Sequence, residues 1–383
     1  MPAAPIPAFQ SPWPAPASIG MRVEQIDTPA LIVELAPFER NLERVAGFAR
    51  AKNIRVRPHA KMHKTPAIAL KQIAHGAAGM CCQKTSEAEA LVAGGVRDVL
   101  ITNQVVGAAK LARLAALARR ATIGVCVDAA ANVHALNLAA QTAGSVIQVY
   151  VEINAGANRC GVEPGADAAT LAQVVAASPH LQFMGVQAYH GGAQHLRSSA
   201  AREAAITLAI NKARLSRDLI RAAGLECAIV TGAGTGTYEI EAASGVYNEL
   251  QPGSYAFMDA DYGRNQAHQP FEHSLFILTT VMSRAPERAV VDCGLKAHSI
   301  DSGMPLVAAD ARGSALTGLD YTKASDEHGV IVSSGGALPA LGDKLRLIPG
   351  HIDPTVNLHD WIIGIRAGVV EEIWPVTARG AMW

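Results

Sequence analysis

The chain has 383 residues, half of them hydrophobic, and its 33 basic side chains balance its 33 acidic ones. That length accommodates one large domain with a smaller companion, and the balanced charge argues against nucleic acid or an anionic membrane surface as a partner. No apolar run approaches the roughly 20 residues of a membrane span.

Residues 1–26 read as an N-terminal arm, whose start is rich in proline and alanine and lacks the basic head and apolar core of a secretory signal. A strand at 30–33 and a helix at 38–51 follow; this segment, 27–53, either opens the large domain or packs with the smaller one. Strand and helix then alternate. Strands are predicted at 54–57, 79–82, 99–102, 123–127, 146–153, 182–187, 228–231 and 249–257. Helices are predicted between them at 66–75, 86–93, 108–120, 130–143, 167–177 and 198–223. Gly76, Gly94, Gly144 and Gly224 stand where a left-handed residue closes a last helical turn. Ser86 with Glu89 has the spacing of a capping box, and Asp167 is placed to cap its own helix. The strands are short, apolar on both sides and rich in valine and isoleucine, as parallel strands covered by helices are. Eight of them favour a (β/α)8 barrel over residues 27–265. Beyond 265 the pattern changes to strands at 274–283, 289–292, 344–348, 362–366 and 369–376, which reads as a second, mainly antiparallel β domain over 266–383. The six cysteines, at 81, 82, 126, 160, 227 and 293, show no paired metal spacing and read as reduced thiols of a cytoplasmic protein.

Chemistry in such a barrel gathers at the C-terminal ends of the strands. After the first predicted strand comes a cationic run, Arg57-Pro58-His59-Ala60-Lys61-Met62-His63-Lys64. Like charges and burial lower a lysine pKa, and a neutral amine is what Schiff-base chemistry with a carbonyl or with pyridoxal phosphate requires. The alternative is an exposed basic loop or phosphate patch. Other strands deliver Asn154 to Gly161 with Arg159, then Tyr189 and His190 with His195 beyond, then a glycine- and threonine-rich loop from Gly232 to Thr237. That loop offers backbone N–H groups and hydroxyls to a phosphate, although such loops are often only turns. In the β domain, His351 and Asp353 lie two apart. In an extended segment they point to one side and can share a metal ion, manganese, magnesium or cobalt by donor type. A histidine and an aspartate closing a turn is the competing reading.

Together these runs resemble the D-threonine aldolase family, with its relatives the 3-hydroxy-D-aspartate aldolases and D-serine dehydratases. The resemblance also rests on Cys81-Cys82-Gln83-Lys84-Thr85-Ser86-Glu87-Ala88-Glu89, Gly185 to Gly191, Gly245 to Tyr255, Asp326-Glu327-His328-Gly329 and Gly350 to Thr355. It implies the alanine racemase type of fold, a barrel holding pyridoxal 5'-phosphate and capped by a β domain, in a homodimer. By resemblance, Lys61 matches the lysine that carries the cofactor, with Lys64 the runner-up. Arg159 matches the arginine near its phenolic oxygen, and Gly234, Thr235 and Gly236 its phosphate loop, with Tyr255 an extra donor. Tyr189 joins the cofactor-binding set, and Gln251 falls opposite the pyridine nitrogen, where racemases carry an arginine. His351 and Asp353 match the divalent-metal pair, Mn2+ or Mg2+ first and Co2+ next.

The reaction so implied is retro-aldol cleavage of a small D-3-hydroxy amino acid to glycine and an aldehyde, with His195, then His190, then a metal-bound hydroxide as candidate bases. His59, Asp326 and His328 are assigned to substrate contacts. A distal carboxylate, as in 3-hydroxy-D-aspartate, would need a further cation, for which Arg264 and Lys296 are candidates. β-Elimination by a dehydratase is the other catalytic reading, disfavoured because those relatives tend to carry cysteine where this chain has Asp353. A non-catalytic pyridoxal-phosphate-binding protein would have no use for a metal pair.

Overall fold

The computed structural model describes residues 13–267 and 271–383, so the first part of the expected N-terminal arm, 1–12, lies outside the described residues. Strand β1 (Ala30–Glu34) leads into α1 (Leu35–Lys52), then β2 (Arg55–Val56), α2 (Pro66–Ala74), β3 (Met80–Cys82) and α3 (Thr85–Ala93). Next come β4 (Asp98–Gln104), α4 (Ala108–Leu117), β5 (Thr122–Val127), α5 (Ala130–Ala143), β6 (Ile147–Glu152) and α6 (Ala166–Ala176). The barrel is completed by β7 (Leu181–Ala188), α7 (Ser199–Ala222), β8 (Ile229–Gly232), α8 (Tyr238–Ala243) and β9 (Glu249–Leu250).

The strands β2 to β9 form one eight-stranded parallel sheet in the order β2-β9-β8-β7-β6-β5-β4-β3. It closes where chain beyond β2 meets β3, through the parallel bridge between His59 and Cys81. The alternation within each strand explains the closure. Cys81, Leu100, Cys126, Tyr150 and Ile229 fill the lumen, while their neighbours Met80, Val99, Ile101, Val125 and Val149 face the helices. Arg57 also turns into this interior. Its side chain is 2 % exposed and pairs with Glu249, 0 % exposed, at 3.2 Å, and with Asp98 at 2.5 Å. The last predicted strand, 249–257, shrinks to β9 because Pro252 and Gly253 interrupt it and a 3-10 turn, Ser254–Ala256, replaces it.

After α9 (Ala260–Gly263) the second sheet begins with β10 (Leu275–Ala285) and β11 (Arg288–Val291), followed by β12 (Leu306–Asp310), β13 (Leu319–Ala324) and β14 (Gly329–Ser333). It ends with β15 (Lys344–Ile348), α10 (Ile352–Val356), β16 (Trp361–Arg366) and β17 (Val369–Pro375). Strand β1 lies inside this sheet, antiparallel to β10 and parallel to β16, so residues 30–34 pack with the second sheet and α1 carries the chain across to the barrel. Residues Val23 and Ile26 of the N-terminal arm are buried against the same sheet.

Three local expectations are corrected. Helix α3 starts at Thr85, and it is Glu87, not Glu89, that reaches back to the backbone N–H of Lys84 at 2.9 Å. Glu89 instead pairs with Arg113 on α4. Gly165, not Asp167, is the N-cap of α6. Gly94 keeps φ −80°, and the left-handed residue after α3 is Gly95.

Candidate active site

A cavity of about 380 Å³ opens at the C-terminal end of the barrel, lined among others by His59, Lys61, Arg159, Gln187, Tyr189 and His195. Gly234, Thr235, Gln251, Gly253, Ser254, Tyr262 and His351 complete the parts that matter here. That size suits a small ligand or cofactor.

Lys61 sits in a 3-10 turn, Ala60–Met62, that follows β2 and is pinned by the N–H of Lys61 donating to His59 Nδ1 at 3.2 Å. Its Nζ lies 2.5 Å from Asp353 Oδ2, so the barrel lysine and the β-domain carboxylate meet across the cavity. The crowding expected from Arg57, His63 and Lys64 is absent, because these side chains turn elsewhere, and only Arg159 acts on the amine as a like charge. Arg57 enters the barrel lumen, His63 is buried with Gln72 at 3.2 Å, and Lys64 pairs with Glu87 at 3.1 Å. The Asp353 carboxylate therefore raises the Lys61 pKa above the ordinary lysine value despite burial, a correction to the lowered value expected from the sequence. Lys64 is buried away from the cavity, so Lys61 alone of the two candidates reaches it.

His351 and Asp353 do not lie in an extended segment. His351 is the N-cap of α10 and Asp353 lies in its first turn. Asp259 fixes that helix over the barrel mouth: its Oδ1 accepts from the N–H of Tyr262 at 2.9 Å and its Oδ2 from the N–H of Ile352 at 3.1 Å. His351 Nδ1 donates to Asp301 Oδ2 at 2.7 Å, leaving Nε2 for the cavity. Burial pushes the Asp353 carboxyl up, but Lys61 and His351 outweigh it and hold it below the ordinary range. Asp353 Oδ1 is buried and has no hydrogen-bond partner among the described residues. An orphaned carboxylate oxygen beside an oriented imidazole is the donor set a divalent cation needs, so the residues present fit one. Among the described residues no group of three or more His, Cys, Asp or Glu side chains converges on one point; other positions would fall to water or substrate.

The loop at 232–237 would fit a phosphate as well. The N–H groups of Gly234, Thr235 and Ser254 have no protein acceptor among the described residues, and all three residues line the cavity. The N–H of Gly236 is instead taken by Gln194 Oε1 at 3.0 Å. Tyr255 faces away: its hydroxyl accepts from Gln72 Nε2 at 3.0 Å, and only its N–H touches the loop, donating to Thr235 Oγ1 at 3.0 Å. Ser254 and Tyr262 take the place expected for it on the cavity wall. Arg159 lies over the Tyr189 ring at 5.8 Å and 3.9 Å from Glu152. Gln251 is held by Gln187 and Thr231, donating to each at 2.8 Å.

Of the two candidate bases, only His195 lines the cavity. Its Nδ1 donates to Asp261 Oδ2 at 2.5 Å, which leaves Nε2 as the basic nitrogen. His190 lies under the Arg159 loop, where Gly156 adopts φ +140° and a Cβ would come within 2.8 Å of His190 Nε2. His59 is buried between Thr102 and Gln83, each at 3.0 Å; burial, then the Lys61 ammonium, hold it neutral, well below the usual histidine range. Asp326 and His328 are not brought to the cavity. They occupy an exposed loop after β13 that folds on itself through the N–H of Ser325 and the carbonyl of His328 at 2.9 Å. Arg264 is spent on the carbonyls of Ala260 and Ser302, and Lys296 pairs with Glu327 on the surface. The anchors Asp259, Asp261 and Asp301 carried no motif in the sequence; only their positions opposite Ile352, His195 and His351, respectively, reveal them.

The profile of the alanine racemase N-terminal domain matches residues 33–261, and that of a serine dehydratase domain matches residues 274–365. The chain is 48 % identical to a D-threonine aldolase of an Arthrobacter species over 96 % of each chain. It is 47 % identical to a 3-hydroxy-D-aspartate aldolase of Paracoccus denitrificans (strain Pd 1222) over 97 % of each. The crystal structure of a D-threonine aldolase from Filomicrobium marinum, 51 % identical, superposes with a TM-score of 0.94 over 97 % of this chain and 100 % of that one. With both profiles falling on the two sheets described above, the chain belongs to the D-threonine aldolase family and has its alanine racemase-like fold.

Proposed function

We propose that this protein is a lyase that cleaves small D-3-hydroxy amino acids of the D-threonine type to glycine and an aldehyde. Pyridoxal phosphate would be held on Lys61 and a divalent cation, Mn2+, Mg2+ or Co2+, by His351 and Asp353. One observation carries the reading: Lys61 and the His351–Asp353 pair come from different sheets and meet across one cavity, Nζ to Oδ2, at 2.5 Å. When bound, the cofactor supplies an electron sink next to Cα and the cation supplies Lewis acidity at the β-hydroxyl.

The chain's own residues do the rest. The free amides of Gly234, Thr235 and Ser254 hold the phosphate end, while Arg159 and Tyr189 also line the cavity, one over the other. Gln251 is neutral and already engaged by Gln187 and Thr231, so it offers the ring nitrogen a partner that cannot give up a charge. His195 takes the hydroxyl proton at Nε2, and Asp261 stabilises the imidazolium that results through Nδ1. Tyr189 and Tyr262 line the cavity beside these groups.

The same apparatus serves 3-hydroxy-D-aspartate if a cation meets the distal carboxylate. Arg264 and Lys296 both lie off the cavity, which favours a neutral side chain at that position. A homodimer in the cytoplasm completes the proposal; free thiols at all six cysteines are consistent with a reducing compartment, and no helix among the described residues is long and apolar enough to cross a membrane. Light scattering of the purified chain tests the dimer. The deciding experiment is product analysis with D-threonine, D-3-hydroxyaspartate and D-serine. Glycine plus an aldehyde supports the aldolase and shows which side chain is preferred. Ammonia plus an oxo acid would replace it with a dehydratase, and no turnover of any of the three would leave a binding protein.

A further inference from the structure

Behind the phosphate loop lies a one-way chain of buried hydrogen bonds that the proposed chemistry does not use. The N–H of Gly236 donates to Gln194 Oε1 at 3.0 Å, Gln194 Nε2 donates to Thr237 Oγ1 at 2.9 Å, and the Thr237 hydroxyl donates to Glu241 Oε1 at 3.0 Å. Gln194 is fixed in turn by Asn265, which donates to its carbonyl at 2.9 Å. The loop is built around this side chain: a Cβ on Gly234 would fall 2.5 Å from Gln194 Oε1, and Ala233 is held at φ +70°. Glu241 is 2 % exposed, and its Oε2 is buried with no hydrogen-bond partner among the described residues.

Resting on the reading of this loop as the phosphate site, we propose that Glu241 is a positioning residue of the loop, acting through Thr237 and Gln194, and must carry a proton for the loop to accept a phosphate dianion. The bond from Thr237 makes Oε1 an acceptor, which assigns the proton to the orphaned Oε2. A carboxylate here would place a second negative charge, without a counter-ion, behind the loop that receives the dianion. Burial pushes the Glu241 pKa up to about 8, against the hydrogen bond from Thr237. The titratable groups that feel this carboxyl are Tyr189 at the end of β7 and Tyr247 before β9, both phenols raised by burial and neutral. Tyr238 and Glu239 precede it on α8, and no cation of the adjacent α7 acts on it.

The test compares pyridoxal phosphate with pyridoxal, titrated into the full-length apoprotein from pH 7 to pH 9. The phosphate is a dianion throughout, since its second ionisation lies near pH 6. Taking the ratio of the two affinities cancels the titration of Lys61, which both ligands share. In the wild type the ratio should fall about tenfold across this range, following the fraction of Glu241 that remains protonated. In Glu241→Gln, permanently neutral, it should stay at the pH 7 value. A constant ratio in the wild type, or an equal fall in Glu241→Gln, overturns the proposal. If Glu241→Gln does not fold, the infrared carbonyl band of a buried carboxylic acid decides: it should fade in the wild type in step with the ratio, and its absence at pH 7 refutes the assignment. Failure of both ligands to bind would instead count against Lys61 as the cofactor lysine.

Discussion

Replacing Asp301 by alanine should weaken Mn2+ binding to the pyridoxal-phosphate-loaded protein by about tenfold. Asp301 Oδ2 accepts from His351 Nδ1 at 2.7 Å, and that bond selects the tautomer whose Nε2 lone pair is available to a metal. Asp301 is itself steadied by the Ser299 hydroxyl at 2.7 Å, so the imidazole is held by a preset acceptor. Loss of such a partner typically lowers metal affinity 10- to 100-fold, about 1.4–2.7 kcal/mol. The Asp301 side chain is 50 % exposed, so water can replace the lost carboxylate, which puts the effect at the low end. Asp301→Asn keeps an accepting oxygen and should lose less. Electron paramagnetic resonance of free Mn2+ gives the affinities, with pyridoxal phosphate absorbance followed in the same samples. Unchanged Mn2+ affinity in Asp301→Ala would sink the reasoning. Parallel loss of the cofactor would also do so, because the damage would then be general and not confined to His351.

Lys61→Ala should abolish the visible absorbance of protein-bound pyridoxal phosphate, whereas Lys64→Ala, which removes a partner of Glu87 outside the cavity, should retain it; the reverse pattern would exchange their roles. Arg57→Met strands Glu249 in the barrel lumen with only the half-exposed Arg55 as a cation, and should cost about 3–5 kcal/mol in denaturant unfolding. Adding Glu249→Leu should recover much of that loss, and a fully stable single variant would show that the pair is not buried as described. Burial holds His63 down at about 4 from an ordinary 6.5, so between those values the unfolded chain takes up a proton that the folded one refuses. Stability should therefore fall as pH drops through that window, by about 3 kcal/mol from this residue. His63→Asn, whose side-chain oxygen can still accept from Thr65, should remove that share of the slope in unfolding measurements across pH; an unaltered slope would refute it.

Much of the barrel was legible because its strands are fully covered: β5, β6 and β8 need valine and isoleucine on both faces, and that requirement shows as short apolar runs without any partner being known. Strand β9 was less so, since Pro252 and Gly253 cut the apolar run and nothing local announced that two residues would suffice to complete the sheet. Lys61, His351 and the glycine- and threonine-rich loop, singled out in the sequence by residue type, do line one cavity, with Asp353 beside Lys61. The reason given for the lysine did not hold, because it assumed that neighbours in sequence remain neighbours in space. Arg57, His63 and Lys64 each turn to a different partner, and the group that sets the charge of Lys61 lies 292 positions further on.

The sequence by itself determined what depends on periodicity and residue chemistry: alternating covered strands and helices, a second sheet, an amine suited to a carbonyl cofactor and an imidazole–carboxylate pair suited to a cation. Only the tertiary structure decided which side chains meet. It placed β1 in the second sheet, turned Tyr255 away from the loop, left Asp326 and His328 on the surface, and supplied Asp259, Asp261, Asp301 and Glu241 behind the working groups. The physical reason is that a short-range pattern records how a residue suits its own strand or helix. A hydrogen bond between elements depends on two backbones brought together by packing, and that leaves no local trace in either one.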